Sequence, residues 1–212
     1  MNFRAIEVEM HMEFPALERA AQLRASVMEK YAVVSRQPQG HFGYPVGTES
    51  IARLGYPAEW LAGVPAEVAH RFVGVGNPFC VRRAQRGEHV LDLGCGCGFD
   101  TFVAASLVGP EGEAVGLDLT PEMLEVARTA QAGTTITNLQ FCEGDAEALP
   151  FADASFDLVI SNGVLNLVPD KDAAFAEIGR VLRPNGAFVA ADLVVAETIP
   201  DQVLASKDAW SS

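Results

Sequence analysis

The run Val90-Leu91-Asp92-Leu93-Gly94-Cys95-Gly96-Cys97-Gly98-Phe99-Asp100 constrains this chain more than any other stretch. A short apolar strand enters a loop with glycine at every second position, and the loop leads into a helical segment. Glycines there let the backbone turn sharply and approach a ligand with no side chain in the way. The spacing is G-x-G-x-G. In the dinucleotide fingerprint the third glycine falls one residue later, where this chain has Phe99. The dinucleotide version aims a helix N-terminus at pyrophosphate, whereas this one suits a ligand without phosphate. Alone, the loop is equally compatible with a merely structural turn.

Residues 88–196 alternate short apolar strands with helical stretches, the pattern of an α/β fold with a parallel sheet covered by helices. The expected strands are His89–Leu93, Ala114–Leu119, Leu139–Glu143, Phe156–Ser161 and Ala187–Val195. Thr101–Leu107, Pro121–Ala132 and Lys171–Leu182 read as helices. The second of these has a start signal in Thr120 as cap and Pro121 at the first helical position. Leu182-Arg183-Pro184-Asn185-Gly186 ends the third helix, since Pro184 cannot continue it and Gly186 tolerates positive φ.

Residues 1–87 read as an N-terminal, mainly helical cap packed on the Rossmann-like domain formed by residues 88–212. Ile6, Val8, Met10, Met12 and Phe14 alternate with Glu7, Glu9, His11 and Glu13, which predicts an amphipathic strand over Ile6–Phe14. Over Pro15–Val34, the residues Ala16, Ala20, Leu23, Val27, Tyr31 and Val34 recur at helical spacing. Residues 36–80 are rich in turns, with short helices expected near Ala58–Leu61 and Ala66–Phe72.

The strand ends carry the polar groups. Asp118 closes the second strand twenty positions beyond Gly98, where its carboxylate can accept both hydroxyls of a ribose; capping the helix near Thr120 is an equal alternative. The third strand ends in Glu143-Gly144-Asp145-Ala146-Glu147, and Asp145 can accept from an adenine amino group with the Ala146 amide beside it. The fourth ends in Ser161-Asn162-Gly163. Four consecutive strands thus present glycine or polar residues at their carboxyl ends, where open α/β sheets bind ligands.

Charge narrows the partners. The 28 acidic against 15 basic side chains give a formal net charge of −13, which argues against nucleic acid or an anionic membrane. No stretch of about 18 uncharged apolar residues suggests a membrane span, and no secretory leader is visible, so the cytoplasm is the expected location. Cys80, Cys95, Cys97 and Cys142 lack paired C-x-x-C spacing, so no metal site is expected.

With these motifs in place, the run from Val90 to Gly186 resembles the class I S-adenosylmethionine-dependent methyltransferases. Phe99-Asp100-Thr101, Asp118-Leu119-Thr120-Pro121-Glu122-Met123 and the segment Asn162–Lys171 are similar to the arsenite methyltransferase branch. The resemblance implies S-adenosylmethionine as cofactor and a small-molecule acceptor as substrate. It makes Asp92, Gly94, Gly96 and Gly98 the methionine-side loop, and Asp118 with the adjoining Leu119 the ribose site. Met123 would pack by the adenine, Asp145 with Ala146 would read its edge, and Asn162 would lie near the methionine end. Gly74-Val75-Gly76-Asn77-Pro78-Phe79 reads as a lid loop in which Asn77 can hydrogen-bond the ligand.

Departures from that branch bear on the acceptor. Arsenite methyltransferases hold trivalent arsenic with cysteine thiolates. At two of those positions this chain has Val75 and Gly163, and a third would lie just past Trp210. Arsenite is therefore not the expected substrate, and the four cysteines read as buried small side chains. No catalytic residue is assigned. Tyr31, His41, Tyr44, Glu49 and His70 are candidate bases in the cap, each with an ordinary structural or solvated alternative.

Two other readings share these features: a cofactor-binding relative without turnover, and a nicotinamide-dependent oxidoreductase, whose glycine spacing differs from this one. The resemblance also implies a sheet of seven strands, whereas only 17 residues follow Val195. Five strands are therefore expected, with the usual sixth and seventh missing. An uncovered sheet edge invites pairing, and a homodimer is expected.

Overall fold

The structure, a computed structural model, describes residues 13–194, with side chains from residue 18. Its frame is a five-stranded sheet of β1 (His89–Leu93), β2 (Glu113–Asp118), β3 (Leu139–Glu143), β4 (Phe156–Asn162) and β5 (Leu182–Ala191). The strand order is β3-β2-β1-β4-β5 and every pairing is parallel. The chain starts in the middle of the sheet, builds outward one way, then returns to build the other way. The switch point thus lies between β1 and β4, where open sheets of this kind leave a crevice.

Both faces of the inner strands β1, β2 and β4 are buried, which explains their near-continuous apolar runs, whereas the outer strands β3 and β5 are partly exposed. Successive side chains alternate between faces. Val90, Ala114, Leu158 and Ile160 join one cluster with α4 (Phe99–Val108), whereas Leu91, Leu93, Val115, Leu117 and Val159 join another with α6 (Lys171–Val181). The third sheet helix is α5 (Pro121–Ala132). The first cluster also takes Ile51, Tyr56, Trp60, Val68, Phe72 and Phe79, so residues ahead of the sheet share its core.

Those earlier residues form α1 (Glu13–Val34), α2 (Gly47–Arg53), α3 (Ala66–His70) and two 3₁₀ turns, Ala58–Trp60 and Pro78–Cys80. Most of the proposed Ile6–Phe14 strand lies outside the described residues, but Glu13 and Phe14 open α1, so its end is helical. Helix α2 has no counterpart in the sequence reading. It starts at Gly47, with φ +65° and a preceding Val46 that offers no capping side chain, so the usual start signal is missing.

Two other local expectations change. Thr120 occupies the position ahead of α5 but makes no side-chain capping bond. Instead Asp118 Oδ1 accepts from the Thr120 N–H at 2.8 Å, an acid reaching forward two residues. The Leu182–Gly186 turn is absorbed into β5 as an irregularity, with Leu182 opposite Phe156 and Ala187 opposite Leu158. Asn185, not Gly186, takes the left-handed backbone there, with φ +68°. Gly186 is needed for space, since a Cβ would sit 2.9 Å from the Arg183 carbonyl oxygen. Strand β5 ends at Ala191, and the expected continuation to Val195 runs beyond the described residues.

Candidate active site

The carboxyl ends of the strands open into one cavity. Asp92, Gly94 and Gly96 line it from the β1 loop, Asp118 and Leu119 from β2, Asp145 and Ala146 from β3, and Asn162 from β4. The structure thus brings together eight of the eleven residues singled out from the sequence. Gly98, Met123 and Asn77 stand outside the lining. Gly98 has φ +90°, and a Cβ there would lie 2.6 Å from the Phe141 ring, so it serves the packing of α4 against β3. Met123 is 1% exposed, with its Sδ 3.3 Å from Cys97 Sγ. The Asn77 Oδ1 accepts from the Phe79 N–H at 3.1 Å and caps the 3₁₀ turn of its own loop.

The glycine loop is braced from the neighbouring strand. Gly94, Gly96 and Gly98 all have positive φ, a conformation that side chains disfavour. Asp118 Oδ2 accepts from the Gly96 N–H at 2.7 Å, while its Oδ1 holds Thr120. The structure shows the capping alternative for Asp118, extended to a brace on the glycine loop. It orders the turn into α5, and a carboxylate with about four acceptor sites retains capacity for a ligand. Burial pushes its pKa up, and its backbone hydrogen bonds oppose that push. Asp92, 2% exposed, accepts from Thr101 Oγ at 2.6 Å. Burial drives its carboxyl well above the ordinary range, with the neighbouring Asp100 adding to it.

A second network ties the segment before the sheet to the strand ends. Asn162 Oδ1 accepts from the N–H groups of Val75 and Gly76 at 2.8 and 3.0 Å. Its Nδ2 donates to the Gly76 carbonyl at 2.8 Å and to Asp100 Oδ2 at 2.9 Å. The Tyr56 hydroxyl donates to Asp100 Oδ1 at 2.7 Å. Burial pushes the Asp100 carboxyl up to about 6, although both of these hydrogen bonds favour its charged form. Asn162 therefore lines the cavity and fastens the loop beside it. Tyr56 and Asp100 were not singled out from the sequence as site residues. They lie 44 positions apart, and no local pattern joins them.

Helix α1 closes the cavity on the side of Asp145 and Ala146. Arg24, Val27 and Tyr31 project from it into the cavity lining at successive turns. Arg24 pairs with Asp145 Oδ2 at 2.7 Å and with Glu147. The stripe that includes Val27 and Tyr31 has an amphipathic spacing, and in the structure it faces the site. Of the five candidate bases, only Tyr31 reaches the lining. Burial raises its hydroxyl pKa, and Tyr44, Asp118 and Asp192 raise it further. Tyr44 donates to the Val73 carbonyl at 3.2 Å and is pushed up to about 12, mainly by burial. Both phenols are thus donors rather than bases at neutral pH. His41 and His70 are exposed, and Glu49 is exposed and paired with Arg53 on α2.

The arrangement suits a particular kind of ligand. Asp92, Asp100, Asp118 and Asp145 all line the cavity, and their carboxyl oxygens can accept from hydroxyl, amino and ammonium groups. Burial raises the thiols of Cys95, Cys97 and Cys142, so these cysteines are protonated small side chains rather than thiolates, whereas Cys80, expected to be buried with them, is exposed.

Comparisons with known proteins agree with this geometry. Residues 84–211 match a family described as a methyltransferase domain. An arsenite methyltransferase of Halobacterium salinarum is 40% identical over 201 residues, covering 88% of this chain and 51% of that protein. A demethylmenaquinone methyltransferase of Lactococcus lactis is 42% identical over 103 residues, covering 49% of this chain and 41% of the relative. The crystal structure of an arsenic(III) S-adenosylmethionine methyltransferase from Chlamydomonas reinhardtii superposes with a TM-score of 0.64 at 39% identity. That match covers 74% of this chain and 58% of the other. The chain spans about half the length of the curated relatives it matches.

Proposed function

We propose that this chain, which belongs to the class I S-adenosylmethionine-dependent methyltransferase family, transfers a methyl group from S-adenosylmethionine to a small-molecule acceptor other than thiolate-held arsenic. The observation that carries this reading is the convergence of four strand ends on one cavity with a glycine cradle and carboxyl acceptors. The residues fit the cofactor. Asp118 retains acceptor capacity for ribose hydroxyls, Asp145 and Ala146 line the cavity as candidates to read an adenine edge, and Gly96, where a Cβ would meet nothing closer than Met123 Sδ at 3.9 Å, leaves room for the amino-acid end. When bound, S-adenosylmethionine supplies an electrophilic sulfonium methyl.

The protein's own part is alignment and exclusion of water. Asn162, Tyr56 and Asp100 hold the Val75–Gly76 backbone against the strand ends, so that wall is fixed. Tyr31 keeps its proton and can donate a hydrogen bond to a ligand. Among the described residues none of the cap candidates is placed as a base, which suits an acceptor that is already nucleophilic or loses its proton to solvent.

Two positions support an acceptor other than arsenite. Val75 and Gly163 stand where the arsenite branch has cysteines, and they adjoin each other. A Cβ on Gly163 would lie 3.5 Å from Val75 Cγ1. Neither residue offers a sulfur. The third position of that branch lies outside the described residues.

Calorimetry with S-adenosylmethionine and S-adenosylhomocysteine tests the reading, and no binding of either at millimolar concentration overturns it. A broad acceptor panel then separates an enzyme from a binding protein without turnover. A homodimer through a sheet edge remains part of the proposal, and a monomer by light scattering at micromolar concentration counts against it. No helix among the described residues is long and apolar enough to cross a membrane.

A further inference from the structure

The Tyr56 hydroxyl lies between two acceptors and has one proton to give. Asp100 Oδ1 is 2.7 Å away and the Gly76 carbonyl oxygen 3.1 Å. A phenol has a single O–H to donate and can also accept, so it serves one of these oxygens at a time. The two acceptors belong to different parts of the cavity wall. Asp100 lies in the first turn of α4, behind the glycine loop, and Gly76 belongs to the segment fastened by Asn162. The Asn162 Nδ2 spans the same pair, 2.9 Å from Asp100 Oδ2 and 2.8 Å from the Gly76 carbonyl. Tyr56 and Asp100 are 6% and 5% exposed, so a hydrogen bond lost here is not simply replaced by water.

This network has two consistent proton arrangements. With Asp100 ionised, Tyr56 donates to Oδ1 and Asn162 to Oδ2, and the Gly76 carbonyl keeps only Asn162. With Asp100 protonated at Oδ1, the acid donates to the Tyr56 oxygen, and the Tyr56 hydroxyl turns to the Gly76 carbonyl. Oδ2 remains an acceptor for Asn162, so every donor has a partner in both states. The one proton that distinguishes them comes from solvent through the cavity, which Asp100 lines. Asp92 on β1 and Asp100 repel each other when ionised, and Asp118 on β2 acts on Asp92 in the same sense. Tyr56, Asp92, Asp118 and, in the 3₁₀ turn after Asn77, Cys80 are the titratable groups that act on this cluster, and none is a cation. Burial pushes the Asp100 carboxyl up to about 6, which puts the exchange between mildly acidic and neutral pH.

We propose that Tyr56 is a positioning residue that couples the protonation of Asp100 to the hold on the Gly76 segment of the cavity wall. Proton uptake turns the hydroxyl to the Gly76 carbonyl and tightens that segment. Proton loss returns it to Asp100 and loosens the segment. Phenylalanine at this position would keep the ring packing against Phe72 and Phe99 and lose the coupling. The device belongs to the ligand-free molecule and does not depend on the functional reading above.

A magnetic-resonance pH titration of the full chain without ligand tests this. The Asp100 carboxyl carbon and the Gly76 carbonyl carbon should titrate with one shared midpoint. Protection of the Val75 and Gly76 amides from exchange, corrected for the intrinsic effect of pH, should be about 2- to 10-fold greater below that midpoint than above it, the range of one net hydrogen bond. In Tyr56→Phe, Asp100 should still titrate, but the Gly76 carbonyl should no longer follow it and the protection ratio should fall below about twofold. Asp100→Asn should hold the tight arrangement at every pH, because its amide can donate to Tyr56 as the protonated acid does. A purely structural Tyr56 would lower stability in Tyr56→Phe and leave the Gly76 pH profile as it was, which overturns the inference. Different midpoints for Asp100 and Gly76 in the unaltered protein also overturn it, as does an Asp100 carboxyl that fails to titrate between about pH 4.5 and 8. If Tyr56→Phe fails to fold, those midpoints and the pH response of Gly76 in Asp100→Asn still decide, since a Gly76 response that survives there is not driven by Asp100.

Discussion

The cavity has two walls built on different principles. The sheet wall consists of strand-end loops whose groups hold one another over short distances in the fold: Asp118 on Gly96 and Thr120, and Asp92 on Thr101. The wall before the sheet consists of α1 and turn-rich loops, fastened by a few long-range contacts. These are Tyr56 to Asp100, Asn162 to Val75 and Gly76, and Arg24 to Asp145 and Glu147. The difference separates two tasks. The first wall shapes a ligand site through forced backbone geometry, and the second covers it through contacts that can be loosened one at a time.

Substitutions should separate the two walls by the size and kind of their effects. Gly98→Ala attacks the sheet wall where φ is +90° and a Cβ meets the Phe141 ring. Left-handed strain and overpacking together should cost about 2–4 kcal/mol of stability. Urea unfolding measures it, and a cost under about 0.5 kcal/mol would show that the loop adapts freely.

Asn162→Ala cuts the junction between the walls. It strands two backbone N–H groups and removes a donor from Asp100, for a loss of about 2 kcal/mol. Amide exchange at Val75 and Gly76 should accelerate more than exchange in β1. Uniform acceleration throughout would deny the separate fastening of this wall.

Asp100 gives a pH signature. Its folded pKa of about 6 lies above the ordinary 3.8, so the folded state holds the proton more tightly than the unfolded one. Ionisation therefore costs stability as pH rises from about 3.8 to about 6, and the cost is complete above that window. Asp92 is shifted in the same direction. Relative to Asp100→Asn, the unaltered protein should gain on the order of 1–2 kcal/mol when the pH falls from about 7 to about 4.5. Paired melts across that range check the sign, and a constant difference between the two proteins would remove Asp100 as the titrating group.

Asp118→Asn keeps the shape but replaces one acceptor with a donor facing a backbone N–H. S-adenosylhomocysteine affinity should fall about tenfold, equivalent to about 1.4 kcal/mol, with a smaller change in melting temperature. An affinity within twofold of the original would confine Asp118 to bracing the loop. The smallest effect belongs to Arg24→Met. Its ion pairs are part exposed, so the stability cost should stay below about 1 kcal/mol and shrink with added salt. A larger, salt-independent loss would mean that α1 is held by this cluster rather than by Leu23 and Val34 in the apolar packing.

Legibility in the sequence followed the same division. Strands β1 and β3 and helix α5 have the boundaries expected from apolar patterning and the Thr120-Pro121 signal. The acids and glycines of the sheet wall were also readable, because each sits at a fixed short distance from its strand in the chain. Gly98 and Met123 were read as cofactor contacts, whereas the structure packs them outside the cavity lining, Gly98 against Phe141 and Met123 against Cys97. Whether a residue faces a cavity or a ring depends on what the next strand places there. Helix α2 escaped notice because Gly47 starts it without a cap.

The residues that only the tertiary structure supplied are those whose partners are far away in the chain. Arg24 meets Glu147 across 123 positions, and Tyr56 meets Asp100 across 44. No periodicity or spacing encodes such pairs. Their chemistry is ordinary surface or core chemistry until the fold brings them together. By itself the sequence determined the sheet, the glycine loop and the acids at the strand ends, since backbone conformation and burial pattern are local properties. The tertiary structure decided which side chains close the cavity and which acids are already committed to the protein. Those outcomes depend on distances between segments that the chain order leaves open.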